Sequence, residues 1–218
     1  MDVEKSYFSV APFFDPWVRV MEIHSRRMEE EDSGHWGSKI LIVSPPVDPG
    51  IPLLAKANRH GDTVLLCFSE RLKRIALNYS MKQETGPPDI RIAPFFSIPC
   101  EDGEFAAIYA NCFFDFCEEG DFPFILKEMH RALKADGSLF MVYMGLPDET
   151  LAKGWAWAFS RFRFLSQGCH PVSMAPHLPA ADFELQKDLY ANRLGFPLRY
   201  TLAKKALPAN SSDTGPRT

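Results

Sequence analysis

The residues best placed for chemistry cluster in Lys39–Lys56, KILIVSPPVDPGIPLLAK, where an apolar run (Ile40 to Val43) meets a turn (Ser44 to Gly50) and a helix start at Ile51. A strand feeding a tight turn and then a helix presents backbone N–H groups and a helix dipole, the usual cradle for an anionic or nucleotide ligand. Glycines normally build such a turn, because the backbone must approach the ligand closely and take up angles that a side chain obstructs. Here Pro45, Pro46 and Pro49 remove N–H donors, and Asp48 adds a negative charge. That charge disfavours an anionic ligand group unless a cation or the helix start offsets it.

Further candidates stand at the ends of other apolar runs. Cys67 closes Thr63–Phe68, Pro94, Phe95 and Phe96 follow Ile90–Ala93, and Asn111 follows Phe105–Ala110. Asp115 and His170 are titratable groups expected near the same strand ends, although a lone histidine is more often a satisfied polar residue than a catalyst. The cysteines (67, 100, 112, 117 and 169) are odd in number and lack CxxC spacing, so free thiols are expected rather than a zinc site or a disulfide framework. A thiol enzyme built on Cys67 would need a base or a resolving cysteine at a readable spacing, and none is present.

These residues must be positioned by alternating strands and helices. Ser69 suits the N-cap of a helix over 70–80 with Leu72, Ile75 and Ala76 inward, and Gly86-Pro87-Pro88 breaks the chain before a third strand at 90–93. Ile125, Leu126, Met129 and Leu133 give an amphipathic helix over 122–133, which Ala135-Asp136-Gly137 should terminate before a strand at 138–144. An aromatic helix is expected over 149–165 and a hairpin over 183–192 and 197–203. Strands and helices alternating at this spacing predict an α/β fold, a doubly wound and mostly parallel sheet with an antiparallel C-terminal hairpin. The chain divides into a helical lid or packing segment (1–37, with Trp17, Val20, Met21 and His24 on one face), a main domain (38–205) and a disordered tail (206–218).

Composition narrows the function classes. With 218 residues, 46% hydrophobic and 24% charged, the chain has one sizeable core. A net charge of -4 offers no general footprint for nucleic acid or anionic membrane, and no apolar run approaches the roughly 20 residues of a membrane span. A cytoplasmic protein is expected.

Three stretches carry a family resemblance. Pro99–Asn111 (PCEDGEFAAIYAN) resembles an LP-x-x-D-G-x-F-D-A-V-x-x-N segment around strand four, Ile125–Leu139 resembles an E-x-x-R-V-L-K-P-G-G-x-L helix and fifth strand, and Gly195–Lys204 resembles the closing hairpin. Together, over roughly 39–204, they resemble the class I S-adenosylmethionine-dependent methyltransferases, in particular the ubiquinone/menaquinone-biosynthesis-like group. The resemblance implies a seven-stranded Rossmann-like sheet, S-adenosylmethionine as cofactor and a small, largely apolar methyl acceptor. It puts Ile42, Ser44, Pro46 and Asp48 on the spaced positions of the family's D-x-G-x-G-x-G turn, Cys67 on its ribose-binding acidic position, Pro94 with Phe95 and Phe96 beside the adenine, and Asn111 after strand four. Asp115 or His170 would orient or deprotonate the acceptor. The departures at Pro46, Asp48, Cys67 and Pro94 leave a second reading open, in which the fold has lost ordinary cofactor binding and holds a protein partner or another ligand.

Overall fold

The computed structural model describes residues 34–82, 87–94, 96–146, 154, 157, 169–193 and 196–206. A parallel sheet covered on both faces demands strands that are apolar throughout. β1 (Ile40–Val43) and β4 (Phe105–Asn111) meet that demand with every residue buried, and β2 (Thr63–Cys67) with all but Thr63. β1 pairs in parallel with β2 on one side and β4 on the other, and β3 (Asp89–Ile92) extends the sheet beyond β2. β5 (Leu133–Met144) pairs in parallel with β4, and β7 (Phe196–Lys205) then runs antiparallel between β5 and β6 (Phe183–Arg193). The order is β3-β2-β1-β4-β5-β7-β6, the doubly wound, seven-stranded sheet with a terminal hairpin that the sequence predicts.

Alternating side chains divide the core into two layers. Leu41, Val43, Ile108 and Met141 pack with Ile125, Leu126 and Met129 of α3 (Phe122–Ala132) on one face. Ile40, Ile42, Tyr109 and Phe140 pack on the other with Ile51 and Leu54 of α1 (Gly50–Ala57) and with Leu72 and Ala76 of α2 (Glu70–Lys82). Ser69 caps α2 as expected, its Oγ accepting the Leu72 N–H at 3.3 Å.

The boundary after α3 corrects the sequence reading. The helix stops at Ala132 and β5 begins at once, so Ala135-Asp136-Gly137 lies within the strand and is not a helix terminator. Leu133 is extended, fully buried and paired with Phe105. The carbonyls around the helix end find partners from distant segments: Lys205 Nζ donates to His130 O and to Leu133 O, each at 2.8 Å, and Gly103 N–H donates to Arg131 O at 2.8 Å. Local periodicity carries no information about a lysine supplied by the last strand. The expected leader helix, the aromatic helix over 149–165 apart from residues 154 and 157, and the tail beyond Ala206 lie outside the described residues.

Arg131 holds the β3–β4 connection onto α3. Its guanidinium donates to Ile98 O at 3.1 Å, to Cys100 O at 3.0 Å, to Asp102 at 2.7 Å and to Glu128 at 2.8 Å. Glu128 in turn accepts the Ile98 N–H at 2.7 Å. Removing Arg131 strands carbonyls and a half-buried carboxylate together, so Arg131→Ala should lower stability by about 2–3 kcal/mol in urea denaturation, and a loss below about 0.5 kcal/mol would contradict this role.

Candidate functional site

In an open α/β sheet a ligand crevice forms outside the carboxyl ends of the strands, where the connections leave in opposite directions. β1, flanked by β2 and β4, marks that switch point. Asp48 follows β1 and Asn111 ends β4, and their side chains meet across it. Asn111 Nδ2 donates to Asp48 Oδ2 at 2.9 Å, while Asp48 Oδ1 accepts the Gly50 N–H at 2.7 Å. The turn closes on itself through Asp48 N–H to Pro45 O at 3.0 Å and Ile51 N–H to Asp48 O at 3.1 Å. Pro45 O and the Asp48 carboxylate take up the N–H groups of Asp48 and Gly50, which fixes the turn despite its three prolines.

Asp48 is 0% exposed, and burial pushes its carboxyl above the usual carboxylate range, against the pull of donors from Asn111, Gly50 and Ser44. The offset that the sequence required therefore comes from the helix start. Among the described residues no cation is a partner of Asp48. Asn111 is 2% exposed, and its Oδ1 has no hydrogen-bond partner. The structure thus brings Ser44, Asp48 and Asn111 together, with Pro46 buried in the same turn.

Cys67 stays apart from them. Its side chain packs in the core layer with Ile42, Leu65 and Leu72, and burial pushes the thiol up to about 12. A neutral buried thiol is a poor acceptor and an inert nucleophile. Phe96 is exposed, and Phe95 lies outside the described residues.

A second acidic centre lies at the same end of the sheet. Asp115 Oδ1 accepts the Met144 N–H at 2.8 Å, where β5 ends, and its backbone carbonyl accepts the His170 N–H at 3.0 Å. The two titratable candidates are therefore neighbours. Their companion Cys112 escaped the sequence reading: its thiol donates to Asp115, and its backbone sits at φ 43, a left-handed angle rare for a non-glycine residue. Only its place directly after Asn111 could have signalled it. Burial raises Asp115 to about 7 and pushes Cys112 and Cys169 well above the ordinary thiol range.

Comparison with known proteins places this geometry. Residues 49–141 match the sequence family described as "Methyltransferase domain". The structure resembles an S-adenosylmethionine-dependent methyltransferase from Methanosarcina mazei (TM-score 0.62, 16% identity, covering 78% of this chain and 93% of that one). It also resembles geranyl diphosphate methyltransferase in complex with S-adenosylmethionine (0.64, 12%, 86% and 86%) and the [4+2]-cyclase SpnF (0.64, 14%, 86% and 82%). No match was found among curated proteins. The chain has the Rossmann-like methyltransferase fold, and the match to the methyltransferase domain covers residues 49–141. The comparisons do not reach the narrower ubiquinone/menaquinone-biosynthesis-like group.

The family's cofactor, S-adenosylmethionine, has a polar end that carries a sulfonium, an ammonium and a carboxylate. The residues here fit its cationic groups: the Asp48 carboxylate and the unpartnered Asn111 Oδ1 are buried acceptors with no cationic partner among the described residues. Cys67, which the resemblance puts at the ribose position, is a neutral buried thiol and a poor acceptor for ribose hydroxyls.

The raised Asp115 carboxyl gives a pH dependence of known sign. Its folded value, about 7, exceeds the unfolded one, so the unfolded state binds fewer protons between these values and stability falls as pH rises from about 4 to 7. The loss is on the order of 4 kcal/mol. Asp115→Asn should flatten this slope in urea midpoints compared at pH 4, 6 and 8, and an unchanged slope would refute the raised carboxyl. Cys67 should resist iodoacetamide at pH 8 in the folded protein and react once unfolded, as read by peptide mass spectrometry; equal rates in both states would contradict its burial.

Proposed function

We propose that the protein is an S-adenosylmethionine-dependent methyltransferase acting on a small, largely apolar acceptor in the cytoplasm. One observation carries this reading: two buried acceptors, the Asp48 carboxylate and Asn111 Oδ1, stand at the sheet's switch point, linked through the Asn111 amide nitrogen, with no cationic partner among the described residues. A donor whose polar end is positively charged offsets the cost of burying that carboxylate. When bound, S-adenosylmethionine supplies an electrophilic methyl on a sulfonium. The transfer is an in-line displacement that asks the protein mainly for alignment and exclusion of water, so an elaborate catalytic motif is not required.

Within this reading Asp48 and Asn111 hold the polar end of the donor. Asp115, poised near neutrality and tied to the end of β5, is the group suited to receive a proton from a protic acceptor. His170, whose backbone N–H donates to the Asp115 carbonyl, is a second candidate at the same end of the sheet. Leu146, exposed just beyond β5, supports an apolar acceptor. Among the described residues no helix is long and apolar enough to cross a membrane, and no group of three or more His, Cys, Asp or Glu residues could hold a metal.

A second reading, a non-catalytic protein that binds a partner or a different ligand, draws on a different observation. The start of α1, where the fold ordinarily receives an anion, is already taken by the protein's own carboxylate. The resemblance to a [4+2]-cyclase underlines that this fold does not dictate methyl transfer.

Titration calorimetry separates the two. Heat on adding S-adenosylmethionine or S-adenosylhomocysteine to the purified chain is expected, and its absence from both at ligand concentrations of about 1 mM would remove the methyltransferase reading in favour of the second.

A further inference from the structure

Between α3 and the β3–β4 connection lies an open cavity of about 600 Å³, a volume typical of small-molecule sites. Buried Ile125 lines it together with Phe96 and Phe124, which are 58% and 69% exposed. The two phenylalanines come from segments that only the fold brings together. Each forgoes the stabilisation that burial would give its ring, and large apolar side chains exposed around one hollow mark a binding surface, whereas singly scattered ones do not.

The hollow is held open by fixed contacts. Arg131, on its wall, donates to Ile98 O, Cys100 O, Asp102 and Glu128, and Glu128 accepts the Ile98 N–H. These bonds tie the connection that carries Phe96 to the helix that carries Phe124, so little ordering remains to be done when a ligand enters.

The chemistry of the lining favours positive charge. Phenyl faces carry the negative side of the ring quadrupole and attract cations. Asp121 stands at the N-cap position of α3, where a carboxylate ordinarily accepts a helical N–H; it makes no such bond, and it lines the cavity. The Arg131 charge is already offset by two carboxylates, Asp102 at 2.7 Å and Glu128 at 2.8 Å. Lys127, exposed, lays an apolar stem along the rim while its ammonium stays in water. A small, strongly hydrated metal cation gains nothing from the apolar wall, whereas an organic cation brings a body that the wall can cover.

We propose that this cavity binds a small organic cation, an ammonium on an aryl or alkyl body, with the body against Phe96, Phe124 and Ile125 and the ammonium at Asp121. The lining residues are separate from Asp48, Asn111 and Asp115, so the proposal is independent of the methyltransferase reading.

The test is an amide NMR titration of the full chain with three probes of matched size, phenethylammonium, 2-phenylethanol and phenylacetate. Phenethylammonium should shift the amides of 121–128 and bind about threefold or more tighter than the alcohol, with phenylacetate weakest. Phe124→Ala, a change at an exposed position, should weaken phenethylammonium about threefold or more, and Asp121→Asn should bring it down to the level of the alcohol. The alcohol or phenylacetate binding the unaltered protein as tightly as phenethylammonium would overturn the proposal, as would no saturable shift up to about 20 mM. Undiminished binding in Phe124→Ala would place the ligand elsewhere and overturn it as well, and a preference for the cation that survives in Asp121→Asn would overturn the assignment to Asp121.

Discussion

The structure turns on a carboxylate buried at the one place where the sheet opens. Asp48 joins the turn after β1 to the end of β4 through Asn111 and to the start of α1 through Gly50. Without that bridge, a loop containing three prolines would have few means of fixing its path, because proline takes away the donors by which such turns are usually pinned. With it, the turn is closed, the first turn of α1 has its anion, and β1 and β4 are locked at their carboxyl ends. The Asp48 side chain thus fixes the path of the turn.

This arrangement puts two acidic groups, Asp48 and Asp115, in a region where no described residue among their partners is a balancing base. Burying a carboxylate is expensive, and here the cost is met by donors: Asn111, Gly50 and Ser44 for Asp48, Met144 and Cys112 for Asp115. Cys112 between them keeps a left-handed backbone. Strain and uncompensated charge of this kind persist only where the surrounding structure over-determines them. The two core layers on either face of a sheet rooted in fully buried parallel strands supply that rigidity. The sheet is the stiff body, and its strand ends carry the unsettled electrostatics on which binding can draw.

Much of the architecture could be read directly. Apolar runs such as Ile40–Val43 and Phe105–Ala110, bounded by turn residues, are strands whatever surrounds them, and the Ser69 cap and the α3 stripe follow from helical spacing. The boundary at Leu133 could not be read, because the groups that end α3 come from Gly103 and Lys205, one far before it and one far after. The candidate site was half legible. Asp48, Asn111, Asp115 and His170 stood out by type and by position after strands, whereas the thiol of Cys112 gave no periodic or motif signal.

The sequence by itself determined the order of strands and helices, the class of the sheet and the departure of the turn after β1 from a glycine-rich pattern, because these depend on local spacing and residue type. Only the tertiary structure decided what Asp48 does. Charge alone made it an obstacle to an anionic ligand, but its effect depends on which donors surround it, and those come from the next helix and from a strand more than sixty residues away, Asn111 being 63 positions distant. The same holds for Cys67, whose place in the chain suggested a ligand contact and whose side chain is committed to the core. Local pattern fixes which elements form; the partners of a buried polar group are set by how those elements meet.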